Sequence, residues 1–246
     1  MTTTVAVVGA TGRMGRLACA LIEASTEFEL AAHIGSTGEL SEMLGADVVL
    51  DVTVPAVSQS VVEFAVAHGI NALVGTSGWT AERIAVIDRL VTGKLDVGVV
   101  FIPNFSLGSV LATSFAAQAA RYFDSIEIVE AHHAGKVDSP SGTAVRTAEL
   151  MGRARSELGP VSAPHVDQRA RGQQVSSIPI HSLRLNGVVA RQDVHFGGTG
   201  EVLTITHETL SPSSYEVGIL LGLRAAATAR GITVGLDALL GLGDAG

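Results

Sequence analysis

Residues 5–15 read Val5-Ala6-Val7-Val8-Gly9-Ala10-Thr11-Gly12-Arg13-Met14-Gly15 and decide the fold of this 246-residue chain. The four apolar residues are typical of a buried strand, and the glycines lead into an apolar-periodic helix through Leu17, Leu21 and Ala24. Glycines at this spacing let the backbone approach a pyrophosphate closely, with the positive end of a helix against it. The stretch therefore predicts a dinucleotide-binding turn, with a purely structural tight turn as the alternative.

Apolar strands alternate with helices as far as Pro103-Asn104. The pattern predicts strands at 28–34, 48–54, 70–74 and 96–102, and helices at 40–44, 61–68 and 80–90. Such alternation is typical of an α/β fold, here a Rossmann-like doubly wound parallel sheet.

The regular alternation of strands and helices ends after Pro103-Asn104. The pattern predicts a helix at 107–122, a strand at 125–131, a helix at 143–156, a polar stretch at 159–174, and antiparallel strands joined by turns at 178–185, 187–196 and 201–207. A helix at 215–230 and the segment 232–236 could pack back on the first domain. We therefore expect a domain formed by 1–104 and 213–246, and a second α+β domain with an open mixed sheet at 105–212.

Composition excludes several classes of function. Hydrophobic residues make up 47% of the chain and charged residues 16%, which supports a substantial buried core. A formal net charge of −8 argues against nucleic acid as a partner. Membrane insertion and secretion are not expected, because the chain has neither a bilayer-spanning apolar run nor a basic leader region. We expect a cytoplasmic protein with no metal site, since the histidines outside residues 132–133 share no ligand spacing and Cys19 suits a buried helix position.

The run from Glu130 to Ala144 carries the densest chemistry. Two imidazoles and the ammonium of Lys136 can each carry or donate a proton near neutral pH. Ser141-Gly142-Thr143 precede a helical run, so their backbone N–H groups could bind a carboxylate or phosphate. If residues 131–133 remain extended, His132 and His133 point to opposite faces. The alternative is a solvated loop with a capping serine.

The residues after the second predicted strand leave the choice of dinucleotide open. An acidic residue is expected there to bind the adenosine ribose, but the chain has Gly35, followed by Ser36 and Thr37. Without that carboxylate, Arg13 and the two hydroxyls could accept a 2′-phosphate. A short-chain dehydrogenase would need Tyr-x-x-x-Lys, yet Tyr122 and Tyr215 are each followed four residues later by isoleucine.

Five motifs in order along the chain together resemble the 4-hydroxy-tetrahydrodipicolinate reductase (dihydrodipicolinate reductase) family. They are Gly9-Ala-Thr-Gly12-Arg-Met-Gly15, Asp51-Val-Thr53-x-Pro55, Gly75-Thr76-Ser77-Gly78-Trp79, Pro103-Asn104-Phe105-Ser106 and Glu130-x-His132-His133-x-x-Lys136-x-Asp138-Ser-Pro-Ser-Gly142-Thr143-Ala144. The chain departs from the family at Ser77, Trp79 and Ser139, lacks an arginine near 212–213, and is short at 36–45.

The resemblance implies NAD(P)H-dependent reduction of 4-hydroxy-tetrahydrodipicolinate, via dihydrodipicolinate, to tetrahydrodipicolinate in lysine and diaminopimelate biosynthesis. NADH or NADPH would be bound by Gly9, Ala10, Thr11, Gly12, Arg13, Met14, Gly75, Thr76, Ser77, Ile102, Pro103, Asn104 and Phe105. The catalytic residues would be His132 and Lys136, and the small dicarboxylate substrate would be bound by His133, Gly142 and Thr143. Glu130 and Asp138 would support them.

The resemblance also implies a homotetramer, which fits an open sheet whose exposed face needs covering. Domain closure would bring the nicotinamide over the substrate. Two alternatives stay open: another two-domain nicotinamide-dependent dehydrogenase of a small dicarboxylate or aldehyde, and a non-enzymatic NAD(P) sensor.

Overall fold

The structure is a computed structural model that describes residues 2–94 and 96–242. The chain forms two compact units, one made of Met1–Leu107 with Tyr215–Gly246 and the other of Gly108–Ser214. The strands are β1 (Thr3–Val8), β2 (Phe28–Ile34), β3 (Val48–Asp51), β4 (Asn71–Val74), β5 (Gly98–Phe101), β6 (Ser125–His133), β7 (Gln173–Val175), β8 (Ile178–Leu185), β9 (Ala190–Gly198), β10 (Glu201–Thr209) and β11 (Gly231–Val234). The helices are α1 (Arg13–Glu23), α2 (Pro55–Ala67), α3 (Ala81–Val91), α4 (Leu107–Ala119), α5 (Gly142–Ala154), α6 (Glu216–Ala227) and α7 (Leu236–Leu239), with short 3₁₀ turns at Leu40–Met43, Ser156–Leu158, Arg169–Arg171 and Pro212–Tyr215.

The first unit is built on a parallel sheet with strand order β11-β5-β4-β3-β1-β2. Its central strands are nearly continuous runs of buried valine, leucine and alanine, because helices cover both faces of such a sheet. The predicted Rossmann-like fold is confirmed. The segment after residue 230 returns to this sheet, where β11 pairs with β5.

The order of the strands creates a switch point between β1 and β3. The chain lays β2 on one side of β1 and then crosses to place β3 on the other side. In sheets of this kind, ligands bind beyond the carboxyl ends of the strands on either side of that crossing. The glycine turn after Val8 and the loop after Asp51 lie there, since these two residues pair in register.

Some helix and strand bounds differ from the sequence prediction. β3 ends at Asp51 rather than at residue 54, and α2 begins at Pro55 rather than at residue 61. Proline suits the first turn of a helix because it has no N–H to leave unpaired and its φ angle is already helical. The apolar periodicity alone did not reveal this early start.

The second unit contains a mixed sheet with strand order β10-β9-β6-β8-β7. β6 runs parallel to β8 and antiparallel to β9, and β9 and β10 form an antiparallel pair. The predicted open mixed sheet is confirmed. β8 and β9 run antiparallel and are joined by a turn, as predicted, but they do not pair directly because β6 lies between them. A turn at Asn186-Gly187 reverses the chain, yet turn residues do not specify which strands become neighbours. β7 begins at the end of the polar stretch 159–174, for which the sequence predicts no strand.

The two faces of this sheet have different surroundings. Ile126 and Ile128 of β6 pack in a core with Ala148 and Met151 of α5 and with Phe196 of β9. The residues that alternate with them along β6 belong to the other face. There an open groove is lined by Ser125, Glu127, Val129, His181, His195, Gly197 and Val202. Glu130 and His132 therefore share the helix-covered face of β6.

Candidate active site

The first and third glycines of the turn leave no space for a Cβ atom. Gly9 has φ +89°, and a Cβ added there would lie 2.6 Å from the carbonyl oxygen of Val52. A Cβ on Gly15 would lie 2.2 Å from the Gly9 oxygen and 2.6 Å from the Cα of Ala10. The first glycine is therefore needed for the bend, and the third for the close packing of α1 on the turn.

The end of α1 is suited to an anion. Gly12 is the N-cap residue, and no side chain makes a capping hydrogen bond there. The Gly12 amide donates to the Gly9 carbonyl oxygen at 3.0 Å, while the amides of the first turn, from Arg13 onward, follow the bend. Because α1 is an eleven-residue helix, its N-terminal amides and partial positive charge suit a pyrophosphate. The residues present fit a dinucleotide.

The loop after β2 has both a cationic and an acidic neighbour. The Gly38 amide donates to the Gly35 carbonyl oxygen at 3.2 Å, and a Cβ on Gly38 would lie 3.0 Å from Oε1 of Glu42. A Cβ on Gly35 would lie 3.2 Å from Cγ2 of Thr11, and the guanidinium of Arg16 donates to the Thr11 carbonyl oxygen. Arg13 is exposed on the first turn of α1. Gly35 itself supplies no carboxylate at the position expected to bind the ribose.

A buried carboxylate ties the loop after β3 to the loop after β4. Asp51 has no solvent exposure and accepts hydrogen bonds from the Thr53 amide at 3.1 Å, the Thr53 hydroxyl at 2.6 Å and the Ser58 hydroxyl. The Ser58 oxygen in turn accepts a hydrogen bond from the indole Nε1 of Trp79 at 2.9 Å. The sequence showed Asp51, Thr53 and Trp79 only as parts of motifs, and the link through Ser58 was missed.

The other residues predicted to bind the cofactor follow β4 and β5. A Cβ on Gly75 would lie 2.4 Å from Cε2 of buried Phe105, so glycine is needed where these two loops meet. Thr76 and Ile102 are also buried, whereas Ser77 and Pro103 are exposed and Asn104 is half-buried, its side chain accepting from the Ser106 amide at 2.9 Å. Because β1, β3, β4 and β5 are parallel neighbours, the structure brings residues 9–14, 75–77 and 102–105 to the same edge of the sheet.

In the second unit, Glu130 is the centre of the predicted acid–base run. It has no solvent exposure, and its Oε2 lies 2.6 Å from Nδ1 of His132. The guanidinium of Arg184 donates to both carboxylate oxygens at 3.0 Å each, and the Ser141 amide donates to Oε1 at 3.2 Å. Burial by itself would raise the pKa of Glu130, but hydrogen bonds from His132, Arg184 and Ser182 outweigh it and lower the pKa to about 2. Glu130 is therefore a fixed anion.

Lys136 and Asp138 form an ion pair on the loop between β6 and α5. Lys136 Nζ donates to Oδ1 of Asp138 at 2.6 Å, and the Lys136 amide donates to the His133 carbonyl oxygen at 3.1 Å. Burial would raise the pKa of Asp138, but Lys136 and a hydrogen bond from the Gly142 backbone act against it, so the pKa is lowered. The Asp138 carboxylate thus meets both an ammonium and the first amide of α5.

The predicted substrate residues lie at the end of β6 and the start of α5. β6 stays extended through His133, so alternation directs His132 and His133 to opposite faces; His133 is exposed and its ring lies beside Gly135. Gly142 is the first residue of α5, and the Ser141 hydroxyl caps the helix by accepting from the Ala144 amide at 3.3 Å. The structure brings His132 and the start of α5 together through Glu130 but does not place His133 on their face.

Arg184 is the residue of this cluster that the sequence analysis missed. Parallel pairing of β6 with β8 sets it opposite His132. The sequence offered one signal, a cation near the end of the predicted strand 178–185. The partner of this cation can be inferred only once β6 is known to pair with β8.

Within 2–94 and 96–242, the side chains of histidine, cysteine, aspartate and glutamate do not gather in threes that could hold a metal ion. In the same residues, the helices are too short or too polar to cross a membrane.

A switch-point glycine turn in one unit and a buried acid–base cluster in another define the class of protein. Nicotinamide-dependent oxidoreductases divide their work in this way, with one region binding the dinucleotide and another the groups that move protons. The chain belongs to that class by fold and by chemistry.

Comparison with known proteins gives the family. Residues 3–105 match the family model described as "Dihydrodipicolinate reductase, N-terminus", and residues 108–240 match "Dihydrodipicolinate reductase, C-terminus". The 4-hydroxy-tetrahydrodipicolinate reductase of Clavibacter michiganensis subsp. michiganensis is 73% identical over 98% of this chain and 87% of its own length. That of Streptomyces griseus is 46% identical over 97% of this chain and 98% of its own.

A solved structure agrees with these sequence matches. The dipicolinate-bound dihydrodipicolinate reductase from Paenisporosarcina sp. TG-14 matches with a TM-score of 0.82 and 29% identity, covering 97% of this chain and 99% of that one. The chain belongs to the dihydrodipicolinate reductase family. The predictions of the family, the fold and a nicotinamide-dependent reductase of lysine biosynthesis are confirmed.

Proposed function

We propose that the chain reduces 4-hydroxy-tetrahydrodipicolinate, via dihydrodipicolinate, to tetrahydrodipicolinate, and that it uses NADH or NADPH. One observation carries the assignment of residues: the loop between β6 and α5 joins an imidazole held by a buried carboxylate, an ammonium, and the start of a helix. These are the groups that a proton-coupled reduction of a dicarboxylate needs.

The dinucleotide is held by the first unit. Residues 9–14 bind the pyrophosphate with backbone amides, while 75–77 and 102–105 border the rest of the cofactor at the same sheet edge. The bound NADH or NADPH supplies the hydride. The exposed Arg13 and Arg16 at the start of α1 favour use of both cofactors, because a guanidinium can bind a 2′-phosphate and Gly35 supplies no carboxylate to exclude one.

We assign proton delivery to the pair His132 and Lys136, of which either residue can be the donor. Hydride addition to a conjugated C=C–C=N unit leaves negative charge spread over the ring. An acid must then protonate the ring carbon next to the one that received the hydride. Glu130 engages Nδ1 of His132 at 2.6 Å, which fixes the ring and directs proton exchange to Nε2. Lys136 acts either as a second proton donor or as the cation that steadies the substrate.

Asp138 illustrates how the same loop binds a carboxylate. Its own carboxylate accepts from Lys136 Nζ and from the Gly142 backbone, the groups that we assign to the substrate. Thr143 adds the next amide of α5. We also assign His133 to the substrate, although alternation along β6 directs its ring to the other face of the strand. One carboxylate of a dicarboxylate substrate accepts hydrogen bonds from the same ammonium and helix amides. The ring of the substrate then lies near the proton donors.

The remaining assignments extend to the domains and the assembly. We assign dinucleotide binding to residues 1–104 and 213–246, and substrate binding and oligomerisation to 105–212. The open sheet face lined by Glu127, His181 and His195 supports a homotetramer in which neighbouring subunits cover that face. We place the enzyme in the cytoplasm, where nicotinamide cofactors are supplied. Light scattering at several protein concentrations tests the assembly, and a monomer throughout would refute it.

The decisive experiment supplies the unstable substrate in place. Pyruvate and aspartate semialdehyde are combined with the preceding synthase, and the absorbance of NADH and of NADPH is followed in separate cuvettes. Loss of absorbance only when all components are present supports the assignment. No oxidation with either cofactor refutes it. Cofactor binding without turnover favours a sensor, whereas turnover only of another dicarboxylate or an aldehyde favours a different dehydrogenase.

A further inference from the structure

We propose that Arg184 is a positioning residue that holds the proton donor, the Lys136 loop and the start of α5 in one fixed arrangement. The inference rests on the proposed function, because it concerns the geometry of the same site. It goes further by assigning a positioning role to a strand residue outside the five motifs that carry the family resemblance.

The first contact of Arg184 is with the carboxylate that orients His132. Nη1 and Nη2 donate to Oε2 and Oε1 of Glu130 at 3.0 Å each, a two-point contact that fixes the carboxylate plane. The same Oε2 lies 2.6 Å from His132 Nδ1. Rotation of the Glu130 carboxylate would therefore turn the imidazole, and the guanidinium prevents it.

The second contact reaches the lysine loop. Nη2 of Arg184 also donates to the backbone oxygen of Asp138 at 2.6 Å, while the side chain of that residue binds Lys136 Nζ at the same distance. One guanidinium thus fixes the backbone that presents the ammonium as well as the carboxylate that presents the imidazole.

The third connection runs through Glu130 to α5. Oε1 accepts from the Ser141 amide at 3.2 Å, and Ser141 is the N-cap of the helix whose first amides we assign to the substrate. Arg184, by fixing Glu130, also fixes the position of this cap. Proton delivery and carboxylate binding therefore depend on the same pair of side chains.

Because Glu130 is buried, neighbouring groups must balance its negative charge. Glu130 has no solvent exposure, and its charged or polar neighbours are His132 on β6, Arg184 and Ser182 on β8, the Ser141 amide before α5, and the neutral Gln192 across from it on β9. Arg184 is the permanent cation of this set. Without it, the anion would be balanced only by protonation of His132, so the imidazole would hold its proton more tightly.

The experiment compares Arg184→Gln with Arg184→Lys in the full chain. The control is Arg224→Gln, which removes a similar two-point arginine–carboxylate contact, to Glu27 at 2.8 and 2.6 Å, from α6 in the first unit. For each protein we would measure kcat, KM, the pH profile of kcat/KM, cofactor affinity, and the pH titration of the His132 ring by NMR, assigned with a His132→Asn variant.

We expect Arg184→Gln to lower kcat by about 100-fold, within the range for loss of a positioned acid–base group, with cofactor affinity unchanged. Because a permanent cation beside Glu130 is removed, the histidine limb of the pH profile and the ring titration should both move in the same direction, to higher pH. Arg184→Lys keeps the charge but not the planar fork, so the limb should stay in place while kcat falls to an intermediate value. Arg224→Gln should match the unaltered chain.

If Arg184 only stabilised the fold, the kinetic and NMR measurements would give a different result. Equal losses in both Arg184 variants, with the pH limb and the ring titration unmoved, would overturn the inference. If Arg184→Gln does not fold, the Arg184→Lys protein decides, since full activity in it refutes the need for a fork. If the unaltered chain turns over no substrate, the proposed function fails, but the NMR titration still tests the hold of Arg184 on His132.

Discussion

The stability of the second unit should depend on pH through Glu130. Its pKa of about 2 in the folded chain lies below the ordinary value of 4.5. A carboxyl group whose pKa is lowered by folding stabilises the folded state above pH 4.5, and this contribution disappears as the pH falls towards 2. At about 1.4 kcal/mol per pKa unit, the full contribution is roughly 3 kcal/mol, of which roughly 2 kcal/mol has been lost by pH 3.

The assay is urea unfolding of the unaltered chain and of Glu130→Gln at a series of pH values from about 5.5 to 3, below the ordinary histidine range. Removing one partner of a buried ion pair costs about 3–5 kcal/mol, so the variant should be less stable by that amount at the upper pH. The gap should shrink by roughly 2 kcal/mol at the lower pH, because only the unaltered chain has this carboxyl group to protonate. Other carboxylates titrate in both proteins and cancel.

A matched control comes from the opposite face of the same strand. Glu127 also contacts an arginine and a histidine, Arg171 and His181, but its side chain is 30% exposed. Glu127→Gln should therefore show a smaller gap with a weaker dependence on pH. A stability gap for Glu130→Gln that stays constant across the pH series would refute the assigned charge state of Glu130, and with it the fixed anion beside His132.

Three further outcomes are expected. Gly15→Ala should weaken cofactor binding by roughly tenfold or more, since the added Cβ would lie 2.2 Å from the Gly9 oxygen; calorimetric titration giving unchanged affinity would contradict this. Lys136→Met should lower kcat/KM by about 100-fold at unchanged cofactor affinity, and equal losses in both would count against a role in proton delivery or substrate binding. Trp79→Phe removes the indole donor to Ser58 and should cost about 1 kcal/mol in urea unfolding; unaltered stability would show that the link between the two loops is dispensable.

The sequence was most informative where the determining interactions are local. The strand, turn and helix of residues 5–24 follow from apolar periodicity and glycine spacing, and the structure has β1 and α1 there. Alternation along an extended 131–133 also predicted that His132 and His133 face opposite ways, which follows from the course of β6. In both cases a few adjacent residues fix the backbone.

The parts that could not be predicted depend on contacts between distant residues. Asn186-Gly187 indicates a turn but does not reveal that β6 separates the strands on either side of it. Arg184 acquires a partner only because β8 pairs in parallel with β6, in the register that sets it beside His132. A side chain 54 residues away in sequence completes the Glu130 cluster, and no local pattern encodes such a meeting.

The position of β11 has a consequence for how the protein is made on the ribosome. The last strand of the first sheet, Gly231–Val234, is synthesised after the whole of the second unit, although its partner Gly98–Phe101 emerges far earlier. Until then the outer edge of β5 presents unpaired amides and carbonyls, the kind of strand edge that recruits other chains. The second unit, by contrast, is formed by one continuous segment, and all its strands have been synthesised before β11. The unit that begins first is thus the one that is finished last.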